Sequence, residues 1–270
     1  MWSWPIISGF ALLGCFAGFL SGLLGIGGGV ILVPLFLWSF HLSGVSPDVL
    51  VHSAFATSLA IIIPTAVSNT LGHYRHGMVN RRHVILLASG AVFGAVMGAW
   101  GASQFHGETL KVAFGAMQIG VALKLLHGAL KSPPQGSCRD TVAMLSATGL
   151  TGGFYSAFFG VGGGVVAVPL MVLLLKFPIH LAVGNSTALI VISSLTGTLS
   201  YIVSGWGNPA LPSGCLGFVN LPVALVVVPF SLLGARWGVA LARRFSHAKL
   251  VKSFAILLIC VGVRIIWSTF

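Results

Sequence analysis

The sequence predicts an all-α polytopic membrane protein built from two homologous repeats. Three observations support this prediction: an apolar composition, apolar segments of spanning length along the whole chain, and a glycine-rich motif that occurs twice. Of 270 residues, 56% are hydrophobic and only 6% are charged, and the mean hydropathy is +1.02. Soluble domains carry about a quarter of their residues as charged side chains, so this composition excludes a soluble globular protein.

Charge and cysteine usage narrow the class further. The net charge of +11 comes from basic residues in short links between apolar segments, the pattern of the positive-inside rule. We therefore expect a multi-pass protein of the cell (inner) membrane, with the lipid bilayer and not nucleic acid as its partner. The N-terminus lacks the basic region of a cleaved signal peptide, so we expect it to be retained. The four cysteines are scattered without metal-ligand spacing, and no metal site is predicted.

The duplicated motif defines the two repeats. Gly25 to Leu35 reads GIGGGVILVPL, and Gly160 to Leu170 reads GVGGGVVAVPL. The match extends to further equivalent positions: Gly14 with Gly149, Gly18 with Gly153, Ser21 with Ser156, Thr57 with Asn185, Asn80 with Asn220, and Phe114 with Phe254. We interpret residues 1–131 as the first transmembrane repeat, 132–140 as a linker and 141–270 as the second repeat.

Each repeat shows the same order of segments. A broken apolar segment comes first, and three spanning helices follow it. The broken segments are predicted at 5–40 and 143–176, and the helices at 50–72, 84–104, 110–130, 181–204, 221–242 and 250–268. Strands are not expected, because the apolar runs are continuous and do not alternate.

Loop charge predicts that the broken segments are re-entrant. Arg75, Arg81 and Arg82 place their link in the cytoplasm, whereas the stretch 203–221 holds no lysine or arginine. Both links obey the positive-inside rule only if each broken segment enters and leaves on one face. Each repeat then crosses the membrane three times, so the two repeats are inverted, as in many transporters. A parallel four-plus-four arrangement is the alternative.

The glycine triplets are the predicted functional feature. Gly27, Gly28 and Gly29, with their equivalents Gly162, Gly163 and Gly164, can adopt backbone angles closed to other residues. Pro34 and Pro169 lack a backbone N–H and are expected to help break the helix. The half-helices starting near Val30 and Val165 would direct free N–H groups and positive dipole ends at the protein centre. Close helix packing is the alternative role for the triplets, and the expected one for Gly94, Gly98, Gly234 and Gly238.

Polar side chains near these breaks allow two interpretations. Thr57, Ser58, Asn185 and Ser186 lie early in a helix of each repeat, where they could bind substrate oxygens or join helices to each other. Lys124 and Arg264 are equivalent cations in the last helix of each repeat. They could line an anion path or extend to the membrane interface.

The chain has only three acidic residues, which limits the substrate class. Asp48, Glu108 and Asp140 all fall in predicted links. Intramembrane carboxylates usually mark cation sites or proton relays. Their absence from the predicted spans favours an anion over a metal ion or Na⁺.

These residues resemble a known family. The paired GxGGGxxxVP motifs, the helix starts AFATSL and AVGNSTA, and the link HYRHGMVNRR are similar to those of the TauE/SafE family. The resemblance spans nearly the whole chain and implies export of sulfite or of organosulfonates such as sulfoacetate. By matching positions, it implies a substrate site at Gly27–Gly29, Thr57 and Ser58, together with Gly162–Gly164, Asn185 and Ser186. Asn185 departs from the threonine that the first repeat carries at Thr57.

The sequence therefore predicts a secondary transporter of a small sulfur-containing anion, and not an enzyme. No nucleotide-binding motif occurs, no cofactor is expected, and a homo-oligomer is left open. Alternatives are an importer of another small anion (thiosulfate, sulfide or a carboxylate), a metal-cation exporter, or a membrane enzyme of sulfur metabolism. The last would need a nucleophile–base pair or a metal cluster, and the sequence presents neither.

Overall fold

Helices make up nearly all of the protein that the structure describes. The structure is a computed structural model, and it describes residues 4–24, 27–127, 140–242 and 247–267. The helices are α1 Trp4–Leu24, α2 Gly29–Leu42, α3 Pro47–Arg75, α4 Arg81–Ser103, α5 Gly107–Leu126, α6 Val142–Phe159, α7 Gly164–Leu173, α8 Ile179–Ser204, α9 Leu221–Ala242 and α10 His247–Trp267. The all-α polytopic class is thus confirmed.

The predicted segments agree with these helices to within a few residues. Each broken segment is a helix pair, α1–α2 and α6–α7, and three helices follow each pair. The linker predicted at 132–140 lies outside the described residues, apart from Asp140. A short hairpin that we did not predict lies in the link after α8, where β1 (Cys215–Leu216) pairs antiparallel with β2 (Val219–Asn220). Apolar periodicity cannot reveal strands this short.

Five helices are long and apolar enough to cross a membrane. They are α3, α4, α6, α8 and α9, with α8 counted from His180 and α9 to Gly238. By contrast, α2 has 14 residues and α7 has 10, fewer than the roughly 20 that a spanning helix needs. The two halves of each broken segment therefore differ in length, and in both pairs the longer helix comes first.

Glycines bring the helices of the two halves into backbone contact. α1 packs along α9 and α6 along α4. A Cβ on Gly18 would overlap the Ser231 carbonyl oxygen, and one on Gly153 would overlap that of Ala91. The packing role predicted for Gly94, Gly98 and Gly234 is confirmed, because a Cβ on each would overlap a carbonyl oxygen of the facing helix. Such close approach is how small residues join membrane helices.

The centre of the protein is formed by α3 and α8. Within their most apolar windows, 83% of α3 and 56% of α8 is buried, against 39% for both α4 and α9. The outer helices expose large apolar side chains, including Phe93, Trp100 and Leu225. An apolar outer surface around a buried helix pair fits a lipid surrounding.

The two central helices run in opposite directions. The N–H of Asn220, in the hairpin after α8, donates to Thr57 Oγ1 early in α3, at 3.0 Å. At the other end, the N–H of Asn80, just past α3, donates to Asn185 Oδ1 early in α8, at 2.9 Å. The start of each central helix therefore lies beside the end of the other.

Candidate functional site

The helical structure is interrupted at both glycine triplets. Gly27 has a φ of +84° before α2 begins at Gly29. In the second half, Gly160, Gly162 and Gly163 have φ of +67°, +81° and +75° before α7 begins at Gly164. L-residues with a Cβ rarely adopt such angles. Both helix starts lie within one residue of those predicted, while Gly25 and Ile26 lie outside the described residues.

The structure brings the two breaks into contact. A Cβ on Gly29 would lie 2.5 Å from Val161 Cα and 2.8 Å from the Gly160 carbonyl oxygen. At the second break, a Cβ on Gly162 would lie 3.3 Å from Ile62 of α3 and 3.1 Å from Ile190 of α8. The two breaks therefore share one site between the central helices α3 and α8. A side chain at position 29 would clash with the backbone of the second break.

Two helix N-termini open at this site. The first helical hydrogen bonds run from Ile31 N–H to the Gly28 carbonyl and from Val166 N–H to the Gly163 carbonyl, both at 3.1 Å. The amides of the two preceding residues in each helix come before any intrahelical acceptor. Each helix start also carries the positive end of the helix dipole. An anion is the ligand that this arrangement favours.

Thr57 and Asn185, which we assigned to the substrate, have other partners in the structure. Both are fully buried, and each oxygen accepts the N–H of an asparagine from the other half, as described above. Those asparagines cap the next helices: Asn80 Oδ1 accepts from Arg82 N–H at 3.0 Å, and Asn220 Oδ1 accepts from Val223 N–H at 3.2 Å. The asparagine in place of threonine supplies an equivalent acceptor oxygen, which explains this departure between the repeats.

Ser58 and Ser186 occupy equivalent positions in the two repeats. Both are fully buried. Ser58 Oγ donates to the Gly160 carbonyl at 2.8 Å and holds the second break in place. Ser186 Oγ has no partner among the described residues. The residue equivalent to Gly160 is Gly25, which lies outside the described residues.

Two further serines adjoin the breaks, and our interpretation of the sequence did not assign them to the site. Ser21 of α1 and Ser156 of α6 are buried, and neither hydroxyl has a partner in the described part of the chain. A Cβ on Gly28 would lie 3.5 Å from Ser21 Cβ, and one on Gly163 would lie 3.0 Å from Ser156 Cβ. The repeat alignment paired these serines, and that pairing was the available signal. Buried hydroxyls without partners are rare and mark positions where a ligand or water binds.

Pro34 and Pro169 do not break the helices, contrary to our prediction. Both lie inside continuous helices, α2 and α7, so the breaks lie at the glycines alone. A proline inside a helix leaves the carbonyl four residues earlier without its N–H donor, and for Pro34 that carbonyl belongs to Val30. The fully buried Gln118 of α5 replaces the donor, because its Nε2 donates to the Val30 oxygen at 3.1 Å. Leaving such a carbonyl unpaired costs about 1–3 kcal/mol.

Lys124 lines a cavity beside the second helix start. The cavity has a volume of about 380 Å³, lies between α5, α6 and α7, and is lined by Val165, Pro169, Thr151 and Tyr155 among others. No residue of a glycine triplet lines it. Lys124 and Arg264 are both exposed, but only Lys124 contributes to this cavity. The two equivalent cations therefore have different surroundings.

The acidic residues lie at or just before the starts of α3, α5 and α6, not in the first turns of α2 or α7. Asp48 and Glu108 are in the first turns of α3 and α5. Asp140 precedes α6, and its Oδ2 lies 3.6 Å from His83 Nε2. Within the described ranges, no three His, Cys, Asp or Glu side chains are grouped closely enough to hold a metal ion.

Comparison with known families agrees with this architecture. The family model described as "Sulfite exporter TauE/SafE" matches residues 10–265, nearly the whole chain. This chain belongs to the TauE/SafE family. With five candidate spans, the TauE/SafE protein is a multi-pass membrane protein of a transporter family.

Proteins from two bacteria and one archaeon match this chain over most of their length. The chain is 29% identical over 274 residues to "Probable membrane transporter protein YunE" of Bacillus subtilis, covering 95% of this chain and 96% of that protein. A "Probable membrane transporter protein" of Haemophilus influenzae is 29% identical over 254 residues, covering 94% and 95%. "Probable membrane transporter protein MJ0441" of Methanocaldococcus jannaschii is 26% identical over 247 residues, covering 90% and 89%.

Proposed function

We propose that this protein is a secondary transporter that exports a small sulfur-containing anion, such as sulfite or an organosulfonate, across the cell (inner) membrane. The observation that carries the proposal is the contact between the two glycine breaks, at Gly29 and Val161. It joins the N-terminal ends of α2 and α7 in one buried site. The name of the family model supports sulfite as the first substrate to test.

The chemistry of the site supports an oxyanion. Its proposed donors are the first amides of α2 and α7 and the hydroxyls of Ser21, Ser156 and Ser186, which have no partner among the described residues. Such donors match the several acceptor oxygens of a sulfur oxyanion. A metal-cation exporter would need carboxylate or thiolate ligands, whereas the described acids lie at helix starts. Thr57 and Asn185 are proposed as supports of the site, not as substrate ligands.

The antiparallel central helices support inverted repeats. α3 and α8 occupy equivalent places in the two halves, and the start of each lies beside the end of the other. Equivalent helices run antiparallel when the repeats are related by an axis in the membrane plane. The short α2 and α7 support re-entrant halves that end within the bilayer.

Burial of the site supports an alternating-access mechanism. Gly28, Gly29, Gly162 and Gly163 are all buried, and Ile62 and Ile190 lie against Gly162. Substrate can reach the breaks only when one side of the central pair moves away. Rocking of one repeat against the other supplies that movement in many transporters. Lys124 and its cavity offer an approach for anions on one side.

The proposal is tested by counterflow of radiolabelled sulfite in proteoliposomes. We expect wild-type protein to exchange sulfite, and unlabelled organosulfonate, thiosulfate and sulfate to compete to different degrees. Ser21→Ala/Ser156→Ala should fold normally and exchange sulfite at a rate lowered by roughly tenfold or more. Gly72→Ala is the control, because a Cβ there meets open space. Absence of exchange of any of these anions by folded wild-type protein would overturn the proposal.

A further inference from the structure

The amide of Gln118 is oriented by its contact with α2. Its Nε2 donates to the Val30 carbonyl at 3.1 Å. Because a carbonyl accepts and cannot donate, the nitrogen must face Val30 and the amide oxygen must face away from it. This orientation follows from chemistry, since Pro34 leaves the Val30 oxygen without its helical donor.

The oxygen of the same amide has no partner. Gln118 is fully buried, and its Oε1 is without a hydrogen-bond partner in the described ranges. A carboxamide oxygen can only accept. The other free groups beside the breaks, the hydroxyls and the first amides of α2 and α7, can all donate. Beside the first turn of α2, Gln118 Oε1 is thus an unpartnered oxygen that can only accept, whereas the serine hydroxyls can donate or accept.

The second repeat does not reproduce this amide. Phe114 aligns with Phe254, and at the same offset Gln118 aligns with Leu258 of α10. Leucine has no polar group. The repeats are therefore asymmetric at this position, because only the first repeat carries a side-chain amide there.

From this placement we infer that Gln118 selects a singly protonated oxyanion, with the O–H of the substrate donating to Gln118 Oε1. The inference rests on the proposed function and specifies its substrate as hydrogensulfite over the sulfite dianion. A fully deprotonated oxyanion has only acceptor oxygens, and one of them would face the amide oxygen without a hydrogen between them. The described contacts of Gln118 are with Val30 and with Gly262 of α10, and the proton that the inference concerns is the one carried by the substrate.

The test separates this role from support of α2. Pro34→Ala restores an N–H for the Val30 carbonyl, so the Nε2 of Gln118 is no longer needed there. Adding Gln118→Met then removes the amide oxygen with little change of volume. Pro34→Ala and Pro34→Ala/Gln118→Met form a matched pair, and Pro34→Ala/Gln118→Leu, which copies Leu258, is the second variant if the methionine variant does not fold.

The readout is competition against radiolabelled sulfite counterflow in proteoliposomes, at pH values below and above that at which hydrogensulfite loses its proton. Methanesulfonate is the comparison anion. It has no acidic proton, and it carries the same single negative charge as hydrogensulfite. We expect Pro34→Ala to prefer hydrogensulfite over methanesulfonate. In the double variant, the ratio of the two affinities should be lower by roughly tenfold. Equal preference in Pro34→Ala and the double variant would overturn the inference alone. Absence of exchange by wild-type protein would overturn the proposed function as well.

Discussion

The side-chain oxygen of Thr57 accepts the backbone N–H of Asn220, 163 residues further along the chain. Asn185 and Asn80 form the equivalent bond at the other end of the central pair. Each bond joins an early position of one central helix to the cap of an outer helix in the other half. These two bonds fix how α3 and α8 lie against each other, and thereby where the two breaks meet.

Removing the oxygen of Thr57 is expected to lower stability. Thr57→Val keeps the shape but leaves the buried Asn220 N–H without an acceptor, which costs about 1–3 kcal/mol. Thermal unfolding in detergent should show a lower midpoint for Thr57→Val than for Thr57→Ser, which keeps the hydroxyl. If Thr57→Val unfolds like wild type and only weakens sulfite binding, Thr57 is a substrate ligand after all.

Adjacent glycines should respond differently to alanine. At Gly28, φ is −69° and the nearest atom to an added Cβ is 3.5 Å away, so Gly28→Ala should give a normal yield of folded protein. At Gly29, an added Cβ would lie 2.5 Å from the Val161 backbone, so Gly29→Ala should force the breaks apart and abolish sulfite exchange. Size-exclusion profiles and counterflow measure both effects. Equal behaviour of the two variants would contradict the close contact of the breaks.

The free serines should affect binding more than stability. The hydroxyls of Ser21 and Ser156 have no hydrogen-bond partner in the described structure, so replacing these residues by alanine should leave the unfolding midpoint unchanged within the error of the scan. Ser58→Ala, which removes a buried bond to the Gly160 carbonyl, should lower that midpoint. Sulfite affinity of Ser21→Ala/Ser156→Ala should fall by roughly tenfold or more. A marked loss of stability in the double variant would indicate a structural role.

Inverted repeats place the links after α3 and α8 on opposite sides of the membrane. In a single-cysteine protein, Cys215 should react with an impermeant maleimide added outside cells, and His76→Cys should react only after the membrane is opened. Burial raises the pKa of the Cys215 thiol, so less thiolate exists at neutral pH and labelling should speed up as the pH rises. Labelling of both positions from the same side would support the parallel arrangement instead.

The cavity beside α7 should make Lys124 more important than its counterpart. Lys124→Gln removes the cation that lines this cavity, and sulfite flux at low ionic strength should fall several-fold, up to about tenfold. Lys124→Arg should restore it. The comparison variant is Arg264→Gln, which removes the equivalent charge on α10 and should have a smaller effect. Equal losses would mean that total charge, and not the cavity, sets the flux.

The sequence alone determined the membrane class, the helix bounds and the positions of both breaks. These properties are local: apolar length decides whether a helix can span, and glycine alone tolerates the backbone angles at Gly162 and Gly163. Packing at Gly94 and Gly98 was also predictable, since small residues at helical spacing permit close approach.

Only the tertiary structure decided which polar groups are engaged and which are free. Thr57 and Ser21 are both buried hydroxyls, yet one bonds to Asn220 and the other has no partner among the described residues. Likewise, Gln118 finds the carbonyl that Pro34 leaves free only because α5 passes beside α2. Hydrogen bonds require groups to lie within about 3 Å, and that distance depends on how helices far apart in sequence cross.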